Sequence, residues 1–261
     1  MAKMRTIKIL WTGGFDSTFR IVQLSRLPVT IQPYYVANNR LSEKMELSAI
    51  KEIIEKIKAK PETQCRLLPP IYIQVNKYPG SEEVTEAFNK IKYHRHIGYQ
   101  YEWLACFAKD HPGIEIGILV SSSWRKLLDL FGKLIVKSDE VIGDYYVVDT
   151  KHSSDDFNIL FQNYHFPLAF MTKLDLKKKY IEWGCEDIMR LTWFCHSPID
   201  GSPCGECNPC KQTIEDGFKE RFSKKALRRY WKRKMFSPFK KIKKRVLRQL
   251  NTLNIGKLNQ K

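Results

Sequence analysis

The chain has 261 residues, 43% of them hydrophobic, and a formal net charge of +17. This length suits one α/β domain with an appendage, and no apolar run approaches the ~20 residues that a membrane-spanning helix needs. Because residues 1–5 lead into a strand pattern rather than an apolar signal segment, we expect a cytoplasmic protein. Seven cysteines in such a protein indicate metal binding or free thiols rather than disulfides.

The positive charge is concentrated near the C-terminus. Residues 211–261 contain 18 Lys+Arg and 3 Asp+Glu, a net charge of +15, whereas residues 1–210 contain 27 and 25, a net charge of +2. The basic character therefore belongs to the tail, and the preceding body is nearly neutral.

The N-terminal part of the chain alternates strand and helix patterns. Strands are predicted over Ile7–Trp11, Val29–Ala37 and Ile71–Val75, and Pro33 in the second indicates a bulge or an exposed edge. A helix follows the first strand, and Ser42–Lys60 has the apolar spacing of a second. This order predicts an α/β fold with a Rossmann-like, doubly wound parallel sheet, whose ligand lies at the carboxyl ends of the strands.

The pattern continues less regularly beyond residue 80. We predict a helix over Glu83–Lys109 that is interrupted at Lys92–Gln100, and then a fourth strand over Glu115–Ser121. A short strand over Tyr145–Val148 and a polar loop over Lys151–Asp156 follow. The last predicted element is a helix over 171–183 with Gly184 as its C-cap.

A glycine turn joins the first strand to the first helix. Gly13 and Gly14 let the backbone adopt positive φ and approach a ligand closely. The next residues lie in the first helical turn, where unpaired N–H groups attract anions. An ordinary capped turn explains the same residues, but we favour phosphate binding. The candidate ATP-binding residues are Trp11, Thr12, Gly13, Gly14, Phe15, Asp16, Ser17 and Thr18.

Four cysteines are packed into a short segment with Pro and Gly between them. Cys195, Cys204, Cys207 and Cys210 can surround one tetrahedral Zn²⁺, and four thiolates make a closed, structural site. An iron–sulfur cluster uses similar spacing, and disulfides are a weaker alternative. The isolated cysteines, which we expect to pack in the core, are Cys65, Cys106 and Cys185.

Together these motifs resemble the PP-loop ATP pyrophosphatases (HUP type), and among them the 7-cyano-7-deazaguanine synthase (QueC) family. The matching segments are Thr-Gly-Gly-Phe-Asp-Ser at 12–17, Thr-Lys-Leu-Asp-Leu at 172–176, Leu-Thr-Trp-Phe-Cys at 191–195 and Pro-Cys-Gly-Glu-Cys-Asn-Pro-Cys at 203–210. Thr12 stands where that family usually has Ser. The resemblance implies a PP-loop ATPase domain over 1–218, which includes the zinc motif at 195–210, and a basic amphipathic tail over 219–261.

The resemblance also implies an activity and its cofactors. Such enzymes are ATP-dependent ligases of queuosine biosynthesis, which adenylate 7-carboxy-7-deazaguanine and then its amide, with ammonia, to form the nitrile. The expected cofactors are Mg²⁺ with ATP and a structural Zn²⁺, and the expected assembly is a homodimer. The catalytic candidates are Asp16 as a Mg²⁺ ligand, Ser17, and Lys173 as a countercharge for phosphate.

The substrate-recognising motifs of that family are altered in this chain. Only Arg40 is kept after the second strand, Gln100 stands in a changed segment, and 121–126 replaces the family's substrate loop. A capped helix start explains Ser121 equally well. We therefore expect a QueC-like paralogue with an altered carboxylate acceptor, such as another 7-deazapurine. The candidate pocket residues are Arg40, Gln100, Ser121, Ser122 and Arg125.

The tail mixes aromatic and cationic residues at 224–236 and 240–247. This mixture is typical of nucleic-acid binding. The tail also carries an apolar stripe, which fits binding to an anionic membrane surface or to a partner helix. The stripe consists of Leu227, Tyr230, Trp231, Ile242, Val246 and Leu250. Two alternative functions follow. One is a PP-loop enzyme that modifies tRNA, for example by thiolation, and the other is a QueC-like component of a defence or surface-polysaccharide system that acts with partner proteins.

Overall fold

A computed structural model of the protein describes residues 4–235. The chain forms two compact units, which join between Trp193 and Phe194. The strands are β1 Thr6–Leu10, β2 Thr30–Ala37, β3 Arg66–Leu67, β4 Ile71–Gln74, β5 Ile114–Glu115, β6 Leu134–Lys137, β7 Tyr145–Val148 and β8 Tyr164–His165. The helices are α1 Phe15–Ser25, α2 Glu43–Ala59, α3 Glu82–His94, α4 Gln100–Asp110, α5 Ser122–Phe131, α6 Asp155–Phe161, α7 Lys173–Glu182, α8 Glu186–Arg190, α9 Asn208–Glu215, and α10 over 224–235.

The first unit contains a parallel sheet of six strands. Its order is β3-β2-β1-β5-β8, and β4 also pairs with β2, directly beyond β3, so that the strands occupy five positions. All ladders of this sheet are parallel. The chain builds outward from β1 on one side and then crosses to the other side through β5. The predicted Rossmann-like α/β architecture is therefore confirmed. The order in which strands are added to the sheet reverses between β1 and β5.

Helices cover both faces of the sheet. On one face, Ile31 and Tyr35 of β2 lie in a core cluster with residues of α1, α2 and α8. On the other face, Tyr34 lies in a cluster with Phe88 of α3 and Phe107 of α4. Alternate side chains of β2 thus pack against the helices on opposite faces of the sheet, as expected for a strand buried on both faces.

Pro33 lies at a gap between two neighbouring strands. The backbone oxygen of Ile31 accepts a hydrogen bond from Leu68 on the β3 side, and that of Tyr34 accepts one from Trp11 on the β1 side. Pro33 faces the same side as Ile31, and β3 and β4 pair with β2 on either side of it. The predicted bulge or exposed edge is wrong, because the interruption between β3 and β4 removes the need for an N–H donor.

The structure shortens one predicted strand and adds elements that the sequence analysis missed. β5 ends at Glu115 because a tight turn follows, in which Ile118 N–H donates to Ile116 O at 3.0 Å. The predicted polar loop 151–156 is confirmed over 151–154, and α6, which Ser154 caps, begins at Asp155. The antiparallel hairpin of β6 and β7 confirms the short strand at Tyr145–Val148. The break in the helix predicted over Glu83–Lys109 is confirmed between α3 and α4.

A buried ion pair ties α1 to β5. Arg20 donates from Nε and Nη2 to the two carboxylate oxygens of Glu115, at 2.8 and 2.7 Å, and both side chains are only 1% exposed. Two parallel hydrogen bonds fix the geometry as well as the charge. The pair therefore sets the position of α1 against the strand on the far side of β1.

Replacing Glu115 with Gln is expected to lower the free energy of unfolding by about 3–5 kcal/mol, because the buried guanidinium loses its counter-charge. Urea denaturation followed by circular dichroism measures the change. The matched variant Arg20→Met with Glu115→Leu removes both charges, and we expect it to cost less than the single substitution. A double variant as unstable as the sum of the two single variants would contradict this account.

The second unit contains the four cysteines and the first part of the basic segment. The rings of Phe194 and Phe222 pack at a tilt with their centroids 5.3 Å apart, and Ala226 and Tyr230 of α10 are buried. The boundary between the units therefore differs from the predicted domain boundary at 218/219. The tail predictions for Ile242, Val246 and Leu250 lie outside the described residues.

Within residues 4–235, the structure contains no helix that is long and apolar enough to cross a membrane.

Candidate functional site

The glycine turn lies at the carboxyl end of the central strand β1. Gly13 adopts φ +69°, which a residue with a side chain rarely takes, and Gly14 is the N-cap of α1. Thr18 N–H donates to Gly14 O at 3.0 Å, so helical hydrogen bonding begins there. Phe15, Asp16 and Ser17 are therefore the first residues of α1, and the start of a helix is a position that favours an anion.

Helix α2 and Trp193 both contact the glycine turn. A side chain at Gly13 would meet Glu46 O at 3.1 Å and Ile50 at 3.2 Å, so α2 packs directly against the turn. Trp193 N–H donates to Gly13 O at 2.8 Å. These contacts hold the turn through the protein's own groups, which reduces the cost of ordering it when a ligand binds.

Trp11 and Thr18 support the turn from the core. Both are fully buried, and Trp11 Nε1 donates to Thr18 Oγ1 at 2.9 Å. Their side chains thus tie the end of β1 to the first turn of α1. The exposed residue of the turn is Thr12, and Asp16 and Ser17 are half-buried.

Gly117 is a site residue that the sequence analysis missed. A Cβ atom at this position would lie 2.9 Å from Ser17 N and 3.2 Å from the carbonyl carbon of Asp16. The segment that follows β5 therefore passes against the start of α1, at the position where the sheet reverses its order. Only a residue without a side chain permits this approach. An isolated glycine in an apolar strand pattern is the sequence signal for such a contact.

Lys173 is the first residue of α7, and the region of α7 contacts the start of α1 and the segment after β5. Thr172 and Asp175 form a capping box at the helix start. Val120 N–H donates to Met171 O at 3.0 Å, and the rings of Phe15 and Tyr180 meet edge to face at 6.0 Å. The start of α1, the segment after β5 and α7 are therefore joined to one another. The half-buried Lys173 lies two residues beyond the contact with Val120.

Arg40 belongs to a polar network on α2. Its guanidinium donates to Glu46 Oε2 at 2.7 and 3.0 Å, Tyr35 donates to the same oxygen at 2.9 Å, and Ser42 donates to Oε1 at 2.7 Å. Burial and the Glu46 charge raise the pKa of Tyr35. Burial is the largest single influence on Arg40 and lowers its pKa, but Glu46 and Tyr35 together outweigh burial, so the net pKa is raised. This network stabilises the part of α2 on which Gly13 rests.

The other candidate pocket residues are more scattered. Gln100 is exposed at the start of α4, and Arg125 is exposed on α5. Ser121 is the N-cap of α5 and accepts a hydrogen bond from Trp124 N–H at 3.1 Å, while Ser122 is the first residue of that helix. The contacts described above between the start of α1, the segment after β5 and α7 involve neither Gln100 nor Arg125. A role in acceptor binding stays a prediction for these residues.

The four predicted cysteines form one group that can hold a metal ion. Their sulfur atoms all lie within 4.8 Å of one another, with Cys204 to Cys210 at 3.8 Å and Cys195 to Cys207 at 4.0 Å. These separations are far beyond a disulfide bond and close to the ~3.8 Å edge of a tetrahedron whose ligands lie ~2.3 Å from its centre. Neighbouring Cys195 and Cys210 thiols lower the pKa of Cys207 through hydrogen bonds, which favours its thiolate.

Backbone groups and α10 hold the cysteine loop in place. Glu206 N–H and Cys207 N–H each donate to Cys204 Sγ at 3.3 Å, and Arg229 Nε donates to Cys204 O at 2.8 Å. A Cβ atom at Gly205, which has φ +79°, would lie 2.2 Å from Ala226 O. Glycine at 205 is therefore required for α10 to pack against the loop.

Neither the models of known protein families nor the curated protein sequences match this chain. The geometry is that of an α/β protein with a glycine turn at the start of a helix in its first unit and, in its second, four cysteines that could bind a metal ion.

Proposed function

We propose that the chain is an ATP-dependent adenylating ligase of the QueC-like PP-loop type. One observation carries the proposal: the rigid glycine turn opens α1 at the carboxyl end of the central strand, beside the position where β1 and β5 diverge. Open parallel sheets bind their ligands at such positions, and helix starts bind phosphate there. Mg-ATP is the proposed ligand.

The residues around the turn suit cleavage between the α and β phosphates. Amides at 14–17 would cradle the leaving pyrophosphate, with the Ser17 hydroxyl beside them, and Asp16 would hold Mg²⁺. Lys173 would offset the phosphate charge from the adjoining helix. Such a site accelerates the reaction mainly through positioning and electrostatics.

The proposed acceptor is a carboxylate. Its oxygen attacks the α-phosphorus of ATP, the bond to pyrophosphate breaks, and an acyl adenylate forms. Ammonia then attacks the carbonyl carbon, AMP leaves with the electron pair of the C–O bond, and the nitrogen loses a proton, which yields the amide. The amide oxygen attacks the α-phosphorus of a second ATP and pyrophosphate leaves; the nitrogen then loses its two protons as AMP departs, which yields the nitrile. The altered residues at 36–39, 97–100 and 121–126 lead us to propose an acceptor other than 7-carboxy-7-deazaguanine.

We further propose that the four-cysteine loop holds Zn²⁺ in a structural role. Four thiolate ligands leave no coordination position for a catalytic water, and the sulfur separations of 3.8 and 4.0 Å suit ~2.3 Å Zn–S bonds. The metal would thus stabilise the fold of the second unit rather than take part in the adenylation.

Pyrophosphate release tests the proposed function. Purified protein is expected to release pyrophosphate from Mg-ATP only when a carboxylate acceptor is present, and acceptors can be screened with and without ammonia, beginning with 7-carboxy-7-deazaguanine. Asp16→Asn and Lys173→Ala should abolish the signal while the protein stays folded. Release that persists in both variants, or hydrolysis between the β and γ phosphates instead, would overturn the proposal.

A further inference from the structure

The helix α10 has two faces with different chemistry. Its inner face packs within the second unit through Ala226 and Tyr230, which are 0% and 3% exposed, and through the Arg229 contact with the cysteine loop. The outer face consists of exposed residues that a helix places side by side: Lys224, Lys225, Arg228, Trp231, Lys232 and Met235. Residues 219–235 as a whole contain nine Lys+Arg and one Glu.

The inner face uses most of the apolar surface of the helix. Tyr230 is covered by its own unit, and its hydroxyl donates to Glu215 Oε1 at 3.1 Å, while Leu227 is half-buried. An interfacial membrane helix needs a broad apolar face that is free to enter the lipid. Among the described residues of α10, only Trp231 and Met235 offer large exposed apolar side chains. The available surface is therefore mainly cationic.

Trp231 has two further cations near its ring. Its side chain is 50% exposed, and the Lys234 and Lys219 ammonium groups lie 5.4 and 5.8 Å from its ring. Cations beside an exposed indole match the two parts of a nucleotide, because the phosphate binds the charges and the base stacks on the ring. Helix α10 is also held rigidly, since Arg233 Nη1 donates to Glu206 O at 2.8 Å in addition to the Arg229 bond.

We propose that the outer face of α10 binds single-stranded nucleic acid. Lys224, Arg228 and Lys232 follow one another at intervals of four residues and contact successive phosphates, while Trp231 stacks on a base. The second unit supplies the rigid support, and binding requires neither ATP nor adenylation. The proposal is thus independent of the proposed ligase activity.

Binding of a fluorescein-labelled oligo(U) 20-mer to the full chain, followed by anisotropy over a series of salt concentrations, tests this proposal. Lys224→Gln with Arg228→Gln and Lys232→Gln should weaken binding and reduce the salt slope by about 2, since each single-strand phosphate contact contributes about 0.7. Trp231→Ala should weaken binding about tenfold or more through the loss of stacking. The matched control is Lys44→Gln with Lys51→Gln and Lys58→Gln, which removes three exposed lysines of α2 and should leave binding unchanged.

Three results would overturn the proposal. The control could weaken binding as much as the α10 variant, which would indicate only a response to net charge. Trp231→Ala could bind as well as the unchanged protein, which would exclude stacking. Vesicles that contain phosphatidylserine could bind through the same residues while the oligonucleotide does not, which would assign the surface to a membrane. Circular dichroism of each variant verifies that it is folded.

Discussion

Gly117→Ala is expected to reduce acceptor-dependent pyrophosphate release by about a hundredfold. The added methyl carbon would lie 2.9 Å from Ser17 N, closer than side-chain carbons approach a backbone nitrogen. The start of α1 must then move, and a displacement on the order of 1 Å at a reacting centre costs about that much in rate. Steady-state assays with Mg-ATP, together with ATP titration by calorimetry, measure the change.

The control for this variant is Gly132→Ala, which creates a clash elsewhere in the same unit. A Cβ atom at Gly132 would lie 2.4 Å from the ring of Phe157, in the core beneath α6. We expect this substitution to lower stability but to leave pyrophosphate release per folded molecule near that of the unchanged protein. If Gly132→Ala impaired release as strongly as Gly117→Ala, the effect would be one of general stability and the assignment of Gly117 to the site would be wrong.

Cys210→Ser is expected to abolish tight zinc binding and to loosen the whole second unit. Structural zinc sites contribute on the order of 10 kcal/mol to the folding of small domains, and the Cys210 sulfur is fully buried between its neighbours. Elemental analysis should give about one zinc per chain before the substitution and almost none after it. Limited proteolysis should then cleave within 194–235 at sites that the unchanged protein protects.

Cys106→Ser is the matched control, because Cys106 is a half-buried free thiol in the first unit. The Cys106→Ser protein should bind zinc and resist proteolysis as the unchanged protein does. If the unchanged protein contains iron and labile sulfide, the four cysteines hold an iron–sulfur cluster and the zinc proposal is wrong. Protein that contains no metal at all, yet resists proteolysis over 194–235, would refute the structural role of the metal.

Much of the first unit could be predicted because its strands are strongly apolar and its turns carry glycine. β1, β2, β4, α2 and the break between α3 and α4 followed from periodicity alone. The helix at 173–182 was predicted with Gly184 as its C-cap, and Gly184 has the positive φ expected after a helix end. In these segments the local pattern and the tertiary environment favour the same structure.

The elements that were missed depend on distant contacts. β8 has two residues and exists because Ile114 and Glu115 pair with it, and β5 ends early because Gly117 turns the chain towards α1. Pro33 suggested an edge because the gap between β3 and β4 cannot be seen from β2 itself. Among site residues, the cysteines were found from spacing, whereas Gly117 and Trp193 were not, since their partners lie about a hundred or more positions away.

The hydrogen bond from Trp193 to Gly13 also bears on how the protein is made. Gly13 emerges early during synthesis, but the donor that closes its turn is the last residue of the first unit. Domains generally fold as units as they leave the ribosome. The nascent chain therefore carries an incomplete turn until translation has passed residue 193, and a product that ends before that point would lack the closing bond even with every residue of the turn present.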